Sequence, residues 1–526
     1  MSLQRVLIDG DWREADADGS FTGFNPTNKE PLAEEFPVSS WRDCDSALNA
    51  ATSAAELLSQ MSGERIASFL EAYASRTEAR KDELVEMAHA ETALPKSPRL
   101  ADVELPRTTN QIRLAATAAR EGSWLSPIID TKLNIRSCFT SIGPVCVFGP
   151  NNFPFAFGSI SGGDFAAAIA AGNPVIAKAN SSHPGTTRLF AEEAALAAKE
   201  TNMPPGTVQL LYRTSHENGE RLVADPRVGA TGYTGSREAG LKLKAAADAA
   251  GKPIYLELSS INPVVILPGA LDERMEAIAD DFTSSCLMGA GQFCTNPGVV
   301  ILLQDAQTEL FISLVKDRFQ SAPVGTLLSE GVQRSLSQSL NEIASAGAKV
   351  VVGNTPGGGN GYSHANTLLL VSGRDFLSQA EKMQSEAFGN SSLFVVADDV
   401  GQAAEVIYHL EGNLTGCIYS NTQGSDDACY DTLAPRLQTL VGRILNDKMP
   451  TGVAVSPAMN HGGPYPATGH PGYTAVGIPT SIHRFAKLQC YDNVRQHRLP
   501  IHLQDKNPNG KLWRSIDGEW TQRNIT

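Results

Sequence analysis

The sequence predicts an α/β fold with two domains, each built on a parallel sheet, and a small additional β element. Its 526 residues are too many for one compact core, and 42% of them are apolar, which is typical of a globular chain. Short apolar runs alternate with helical periodicity over residues 140–258 and again from residue 262 to about residue 470. Because strands that alternate with helices are typical of βαβ units, each interval is expected to form a parallel sheet.

The composition excludes several classes of function. The chain carries 57 acidic and 43 basic residues, and its net charge of −14 repels nucleic acids and anionic lipid surfaces. No apolar run approaches the length of a membrane span, and the first residues lack the apolar core of a secretory signal. The eight cysteines are scattered, without CxxC pairs or a histidine pair at zinc spacing. We therefore expect a cytoplasmic enzyme with reduced cysteines, no metal site, and no nucleic-acid or membrane partner.

The order of strands and helices follows from local patterns. The first forty residues alternate short apolar pieces with turn signals, which indicates β-hairpins at an edge of the fold. Ser40 then begins a predicted helix, and the residues after the FGPNNFP turn are expected to form a helix over about 153–171. Other helices are predicted from the spacing of their apolar residues, at 64–76, 83–91, 110–121, 184–199, 217–223, 237–250, 272–289 and 307–319.

These elements divide the chain into two predicted domains. Residues 1–130 and 141–258 are expected to form the first domain, and residues 259–475 the second. Residues 131–140 and 481–505 look extended and lie at the periphery of this arrangement. We expect them to be strands that pair between the subunits of a homodimer or homotetramer.

The segment GQFCTNPG, residues 291–298, is the first candidate for chemistry. Cys294 follows a predicted helix and precedes an apolar strand, between two glycines. Exposed backbone amides beside a cysteine lower the pKa of its thiol and bind a developing oxyanion. The alternative is an inert packing role, because free cysteine is among the most buried residue types.

Three further segments carry polar groups where α/β folds place ligands. In LELSSINP, Glu257 ends an apolar strand, where it is either a general base or a surface carboxylate in a salt bridge. In GYTGSREAG, residues 232–240, Ser236 begins a helix, either as a phosphate ligand or only as a helix cap. In FGPNNFP, residues 148–154, Asn152 lies in a rigid turn, either as an amide aimed inward or as a turn former.

These four segments occur together in an order that resembles the NAD(P)-dependent aldehyde dehydrogenase superfamily. The resemblance extends from LIDGDW near the start to about residue 490, and it includes VIAKANSSHP and SEAFGN. It implies a Rossmann-type cofactor domain, a catalytic domain and a small β oligomerisation element. The catalytic residues that it implies are Cys294 as nucleophile, Glu257 as general base and Asn152 as oxyanion donor. The cofactor-binding residues that it implies are Lys178, Gly235, Ser236, Gly240, Glu386 and Phe388.

The resemblance also implies a reaction. The Cys294 thiolate adds to an aldehyde carbonyl, and the Asn152 amide and the Cys294 backbone N–H stabilise the tetrahedral oxyanion. A hydride passes to the nicotinamide, and Glu257 activates the water that hydrolyses the thioester to a carboxylate. The expected partner is therefore a small aldehyde substrate.

The strand that ends at the implied cofactor lysine favours NADP over NAD. Many NAD-preferring members of the family carry a glutamate three residues after this lysine, where the present sequence has Ser181. Without that carboxylate a 2′-phosphate is not repelled, and hydroxyls or cations can bind it. Arg188 and Arg237 are the expected cations. NAD stays an alternative, because a serine here is also compatible with either cofactor.

The sequence indicates the substrate less directly than it indicates the reaction. The residue pattern of 148–178, with ETALPKSPRL and NHGGPYPATGHPG, is most similar to a subgroup that contains 2-oxoglutarate semialdehyde (2,5-dioxopentanoate) dehydrogenases, with NADP-linked long-chain aldehyde dehydrogenases as near relatives. A fatty aldehyde would suit an apolar tunnel lined by Phe155, Phe157 and Phe293, which core packing explains equally well. Residues 464–472 depart from the commonest form of the family's substrate loop, so no substrate-binding residue is inferred from them.

The sequence therefore predicts oxidation of 2-oxoglutarate semialdehyde to 2-oxoglutarate, with a long-chain fatty aldehyde as the alternative substrate. A CoA-acylating relative usually lacks the general-base glutamate, and Glu257 is present here. A non-catalytic binding or structural protein on this fold usually lacks the cysteine or the glutamate, and Cys294 is present as well. Both of these classes are disfavoured.

Overall fold

The computed structural model describes residues 3–508 and 510–526. Within them the strands form four sheets, two large and two small. The inner strands of each large sheet are parallel and helices connect them, as the alternation in the sequence predicts. No helix in these residues is long and apolar enough to cross a membrane.

The elements up to residue 260 are numbered in chain order. The strands are β1 (Val6–Ile8), β2 (Asp11–Arg13), β3 (Ala17–Phe24), β4 (Pro31–Ser39), β5 (Ile128–Asp130), β6 (Ile135–Ser141), β7 (Val145–Phe148), β8 (Val175–Lys178), β9 (Val208–Leu211), β10 (Arg213–Thr214), β11 (Ala230–Thr234) and β12 (Ile254–Glu257). The helices are α1 (Trp41–Leu58), α2 (Gly63–Ala79), α3 (Lys81–Thr92), α4 (Leu105–Glu121), α5 (Gly163–Ala170), α6 (Pro184–Glu200), α7 (His216–Ala224) and α8 (Arg237–Ala249).

The remaining elements continue the same numbering. The strands are β13 (Val264–Ile266), β14 (Val299–Leu303), β15 (Lys349–Val352), β16 (Thr367–Ser372), β17 (Ser391–Ala397), β18 (Asn413–Tyr419), β19 (Val441–Asn446), β20 (Ala486–Asp492), β21 (Arg514–Ile516) and β22 (Glu519–Thr521). The helices are α9 (Pro268–Leu287), α10 (Ala306–Ser321), α11 (Glu330–Ser345), α12 (Gly373–Ser378), α13 (Ala380–Met383), α14 (Val400–Tyr408) and α15 (Asp427–Gln438).

The first large sheet forms a ligand crevice where its strand order reverses. The order is β12-β11-β7-β8-β9-β1-β2, so the chain runs outward from β7 to β9 and then returns to the other side of β7. In open α/β sheets, ligands bind at the carboxyl ends of the strands beside such a switch. The FGPNNFP turn follows β7 and the GSREAG turn follows β11, so both motifs lie at this crevice.

The second large sheet is buried on both faces. Its order is β15-β16-β17-β14-β13-β18-β19, and only β15 is antiparallel to its neighbour. Within β13, Val265 packs into one apolar core, whereas Val264 and Ile266 pack into the core on the opposite face. Burial of both faces explains why these strands are continuous apolar runs rather than alternating patterns.

The two small sheets are built from hairpins and terminal segments. The predicted N-terminal hairpins are confirmed: the β1–β2 hairpin extends the first large sheet, and the β3–β4 hairpin forms a three-stranded sheet in which β4 also pairs with β10. The other small sheet has the order β20-β6-β5-β21-β22. Its strands β21 and β22 come from the C-terminal tail, for which the sequence predicts no structure.

Parts of the two peripheral segments that were expected to be extended are turns. Residues 131–134 form a turn because the Asp130 carboxylate accepts the N–H groups of Lys132 and Leu133, and Asn134 adopts a left-handed φ of 55°. Residues 480–485 form a 3₁₀ helix. Only residues 135–141 and 486–492 of these segments pair as strands, β6 with β20.

The predicted helix over 153–171 is wrong in its first half. The helix α5 covers only residues 163–170, and residues 154–161 form turns. A Cβ on Gly158 would lie 2.6 Å from the carbonyl oxygen of Pro154, so the chain folds back on itself too closely for a helix with side chains. The segment that carries Asn152 is therefore a loop above the sheet.

Candidate active site

Glu257 and Cys294 come from different sheets and meet in one cluster with His461, in which the two other residues are buried and Cys294 is half-buried. Glu257 is the last residue of β12 in the first large sheet, and Cys294 lies between α9 and β14 of the second. One atom each from Glu257, Cys294 and His461 lie within 4.8 Å of one another. Glu257 and His461 are 5% and 2% exposed, so their contact is shielded from water.

A single imidazole nitrogen joins the acid to the thiol. His461 Nε2 lies 2.8 Å from Glu257 Oε1 and 3.6 Å from the Cys294 sulfur. Depending on the tautomer, Nε2 either donates to the carboxylate or accepts the proton of the thiol. The His461 N–H donates to Thr474 Oγ1 (2.8 Å), and the Ala475 N–H donates to the His461 carbonyl (2.9 Å), which fixes the backbone behind the ring.

The surroundings of Cys294 keep its thiol protonated at rest. Burial raises the pKa of the Cys294 thiol well above its ordinary value, and the negative charges of Glu257 and Glu386 raise it further. The charge of Arg107 lowers this pKa but does not offset the other effects. A thiol of this kind reacts as a nucleophile only when a neighbouring base takes its proton.

Close backbone packing positions the loop before Cys294. The predicted helix 272–289 instead spans 268–287, and Gly289, Ala290 and Gly291 then adopt left-handed φ values. A Cβ on Gly291 would lie 2.0 Å from the carbonyl oxygen of Gly389, so only glycine fits there. This contact brings the SEAFGN segment against the GQFCTNPG loop.

Asn152 is buried and directed at the same loop. Its Nδ2 donates to the Gln292 carbonyl (3.0 Å), which leaves the second N–H of the amide for another acceptor. The buried Glu104 accepts the N–H groups of Phe155 and Ala156, both at 3.0 Å. Arg99 pairs with Glu104 and donates to the Asn152 carbonyl at 3.2 Å. The amide is thus held in place from both sides.

The second carboxylate oxygen of Glu257 is free. Oε2 is buried and has no hydrogen-bond partner among the described residues. A buried acceptor without a partner is costly unless a ligand or water meets it during function.

The 464–472 segment runs alongside the end of β12. The Leu258 N–H donates to the Ala467 carbonyl (2.8 Å), and Glu257 forms a β-bridge with Thr468.

The implied cofactor residues Lys178, Gly235 and Ser236 line a cleft of about 470 Å³ at the crevice of the first sheet. Burial and the charge of Arg213 lower the pKa of Lys178 to about 8. Ser236 caps α8 by accepting the Ala239 N–H (3.4 Å), so the capping interpretation is correct, and its position at a helix start still suits a phosphate.

The other implied cofactor residues lie around these two regions. Gly240 is buried in the first turn of α8, and Ser181 is half-buried in the turn after β8. Glu386 and Phe388 line a cavity next to the Cys294 loop. Glu386 accepts the Ser260 N–H at 3.4 Å, and burial raises the pKa of its carboxyl to about 7.

The two arginines expected to bind a 2′-phosphate are engaged elsewhere. Arg188 forms ion pairs with Glu34 and Glu192, and Arg237 pairs with Glu411 at 2.9 Å. That expectation is therefore wrong, because sequence spacing does not reveal acidic partners that fold against a cation. Arg213, which the sequence analysis missed, forms no ion pair among the described residues, and its charge acts on Lys178.

The three phenylalanines proposed for an apolar tunnel separate into different environments. Phe155 is fully buried in the core of the first domain, with its ring against Phe190. Phe157 lies 5.6 Å from the His461 ring, and Phe293 packs edge-on against Phe153 at 5.2 Å. Only Phe157 and Phe293 adjoin the cluster.

Comparisons with known proteins agree with the chemistry that this geometry suggests. The sequence model of the family described as "Aldehyde dehydrogenase family" matches residues 12–437. The chain is 37% identical to Alpha-ketoglutaric semialdehyde dehydrogenase 2 of Azospirillum brasilense, with 97% of this chain and 98% of that protein covered. It is 35% identical to Alpha-ketoglutaric semialdehyde dehydrogenase of Acinetobacter baylyi, with 95% of each covered. A structure of betaine aldehyde dehydrogenase from Staphylococcus aureus in complex with NAD+ superimposes with a TM-score of 0.81 at 19% identity, covering 96% of this chain and 97% of that one.

Proposed function

Because the chain belongs to the aldehyde dehydrogenase family, we propose that it oxidises 2-oxoglutarate semialdehyde to 2-oxoglutarate with NADP, through Cys294. The contact of His461 with both Glu257 and Cys294 is the observation that carries the chemistry. The substrate is supported by two relatives, at 37% and 35% identity over nearly the whole chain, that are named for this semialdehyde.

The first step is addition of the Cys294 sulfur to the aldehyde carbon. The thiol proton moves to His461 Nε2 at 3.6 Å, and the resulting imidazolium is stabilised by the Glu257 carboxylate at 2.8 Å. The carbonyl oxygen becomes an oxyanion, which accepts the free N–H of the Asn152 amide and the Cys294 backbone N–H. The product is a thiohemiacetal bonded to the sulfur.

The residues around the crevice suit a dinucleotide. Lys178 and the backbone amides at Gly235 and Ser236 would hold its ribose and pyrophosphate, and Glu386 and Phe388 would hold the nicotinamide end. When bound, NADP would accept the hydride that leaves the thiohemiacetal carbon, and this carbon would then be a thioester bonded to Cys294. The half-buried Lys178 ammonium, which forms no ion pair among the described residues, is consistent with a ribose partner.

Glu257 completes the reaction. Its unpartnered Oε2 accepts a proton from the attacking water, whose oxygen bonds to the thioester carbon. The carbon–sulfur bond then breaks, the sulfur recovers a proton, and the carboxylate leaves. The same residue thus stabilises the imidazolium in the first half of the reaction and activates water in the second. Since Glu257 is present and buried, hydrolysis is favoured over transfer to CoA.

Substitution of Cys294 tests this proposal. With 2-oxoglutarate semialdehyde and NADP, Cys294→Ala should lower kcat by at least about 10,000-fold, because no other group supplies the sulfur nucleophile. NADP affinity, measured by fluorescence titration, should change little.

Comparing wild-type kcat/KM for 2-oxoglutarate semialdehyde and for decanal separates the two candidate substrates. Undiminished NADPH formation by the variant would contradict the nucleophile, and a preference for decanal would contradict the substrate.

NADP is favoured by the lack of an acidic residue at Ser181 and by Arg213. Arg213 precedes Thr214 and Ser215, which line the cofactor cleft. Its guanidinium charge reaches Lys178 and is not neutralised by an ion pair in the described residues. A cation in this place attracts a 2′-phosphate, whereas the free ribose hydroxyl of NAD gains little from it.

Arg213→Met should therefore discriminate between the cofactors. We expect KM for NADP to rise on the order of tenfold and KM for NAD to stay nearly constant, as measured by initial rates with each cofactor. Arg334→Met, on the exposed surface of α11, is the matched control. Equal effects of Arg213→Met on both cofactors would remove this basis for NADP selection.

The small β20-β6-β5-β21-β22 sheet is the proposed contact between subunits of a homodimer or homotetramer. Strand β20 is an edge strand, and an edge with free backbone groups pairs readily with another chain. Large apolar side chains in and around this sheet are more than half exposed. They are Ile128, Leu133, Leu488, Ile501, Trp513 and Trp520. An exposed apolar patch of this kind is typical of an interface.

Light scattering coupled to gel filtration tests this assembly. The wild-type chain should elute with the mass of two or four chains, and Leu488→Lys should shift the mass toward one chain because a charge replaces an apolar contact. Leu57→Lys, at a similarly exposed position on α1, is the control and should leave the mass unchanged. A monomeric wild-type chain would refute the assembly.

A further inference from the structure

Two arginines beside the nucleophile have no acidic partner. Arg107 lies in the first turn of α4, and Arg443 lies in β19. Neither forms an ion pair within residues 3–508 and 510–526, whereas the neighbouring Arg99 pairs with the buried Glu104. The charge of Arg99 is thus neutralised by Glu104, whereas no ion pair among the described residues neutralises the charges of Arg107 and Arg443.

Both arginines hold the loop of residues 450–453, which is bonded to the residue after Cys294. Arg107 Nε donates to a carbonyl of this loop at 3.3 Å, and Arg443 Nη2 donates to two others at 3.1 and 3.3 Å. The loop in turn donates a backbone N–H to Thr295 Oγ1 at 3.1 Å. This chain of hydrogen bonds places both guanidinium groups next to the loop that carries the reactive sulfur.

A second series of contacts connects Arg107 with the catalytic cluster. The guanidinium carbon of Arg107 lies 5.0 Å from the Phe157 ring centre, and that ring lies 5.6 Å from the ring of His461. His461 contacts the Cys294 sulfur at 3.6 Å. Arg107 is therefore separated from the catalytic cluster by one aromatic ring.

Three nitrogens of these two guanidinium groups are buried and donate no hydrogen bond among the described residues. Nη1 and Nη2 of Arg107, and Nε of Arg443, are shielded from solvent without a hydrogen-bond partner among the described residues. Burial lowers the pKa of Arg107, which the negative charge of Glu104 opposes, and a guanidinium stays protonated at neutral pH. A buried cation with unused donors is unfavourable unless an anion meets it during function.

We propose that Arg107 and Arg443 bind the carboxylate of the substrate and so select aldehydes that carry a carboxylate over neutral aldehydes. The paired Nη groups of Arg107 match the two oxygens of a carboxylate. The two positive charges also attract an anionic substrate into a protein whose net charge is −14. This inference rests on the proposed function, because it assigns the residues that recognise the carboxylate of 2-oxoglutarate semialdehyde.

The test compares two aldehydes in four proteins. Initial rates are measured with 2-oxoglutarate semialdehyde and with pentanal for the wild type, Arg107→Met, Arg443→Met and the control Arg113→Met, which removes an arginine two turns along α4 that pairs with Glu78 on the surface. The ratio of the two kcat/KM values should fall on the order of 10- to 100-fold in Arg107→Met, mainly through KM for the anionic aldehyde. Arg443→Met should lower it in the same direction, and Arg113→Met should leave it unchanged.

Competitive inhibition by glutarate, which carries carboxylates but no aldehyde, separates the possible failures. If the wild type prefers the semialdehyde but the ratio and glutarate binding are unchanged in both variants, the arginine site is wrong and the proposed function stands. If the wild type shows no preference for this semialdehyde but glutarate binds and Arg107→Met abolishes its binding, the site stands and the substrate is wrong. A purely structural role would lower activity on both aldehydes equally, and that result also overturns the inference.

Discussion

The contact of the buried Glu257 and His461 with the half-buried Cys294 is the constraint on which the active-site architecture depends. In a site shielded from water, the carboxylate and a thiolate cannot carry two negative charges side by side at low cost, because like charges repel strongly at low dielectric. The imidazole between them can take the thiol proton, so that one positive charge lies between two negative ones. The activated triad then keeps the single net negative charge of the resting triad, and the thiol is neutral at rest because burial raises its pKa.

Several backbone contacts hold the three residues of this triad next to one another. Its three members are far apart in sequence, and the Glu257–His461 contact alone spans 204 positions. The Gly298 N–H bonds to the Ile261 carbonyl at 2.8 Å, which ties the strand after Cys294 to the segment that leaves β12. The close packing of Gly291 on Gly389 fixes the other side of the loop. The fold thus stabilises a geometry that neither sheet could provide alone.

The sequence predicted the two parallel sheets because strand–helix alternation is a local signal, whereas the meeting of Glu257 with Cys294 was expected only from the resemblance to the family. It missed His461, since an isolated histidine in a glycine-rich loop has no local signature and its partners come only from tertiary folding. It also misassigned Arg188 and Arg237, whose acidic partners Glu34, Glu192 and Glu411 lie elsewhere in the chain or on the same helix. Charge in a sequence indicates a binding site only when the fold leaves that charge unpaired.

Alkylation of Cys294 by iodoacetamide, measured against pH in the wild type and in His461→Gln, tests the central claim most directly. Mass spectrometry of single cysteine peptides follows Cys294 and the half-buried Cys429 of α15 in the same sample, so Cys429 is an internal reference. We predict that His461→Gln slows alkylation of Cys294 on the order of tenfold or more at neutral pH and moves its rise to higher pH, because the thiol with a raised pKa has lost its base. The Cys429 rate should stay constant. An unchanged rate and pH profile at Cys294 would contradict the role of His461.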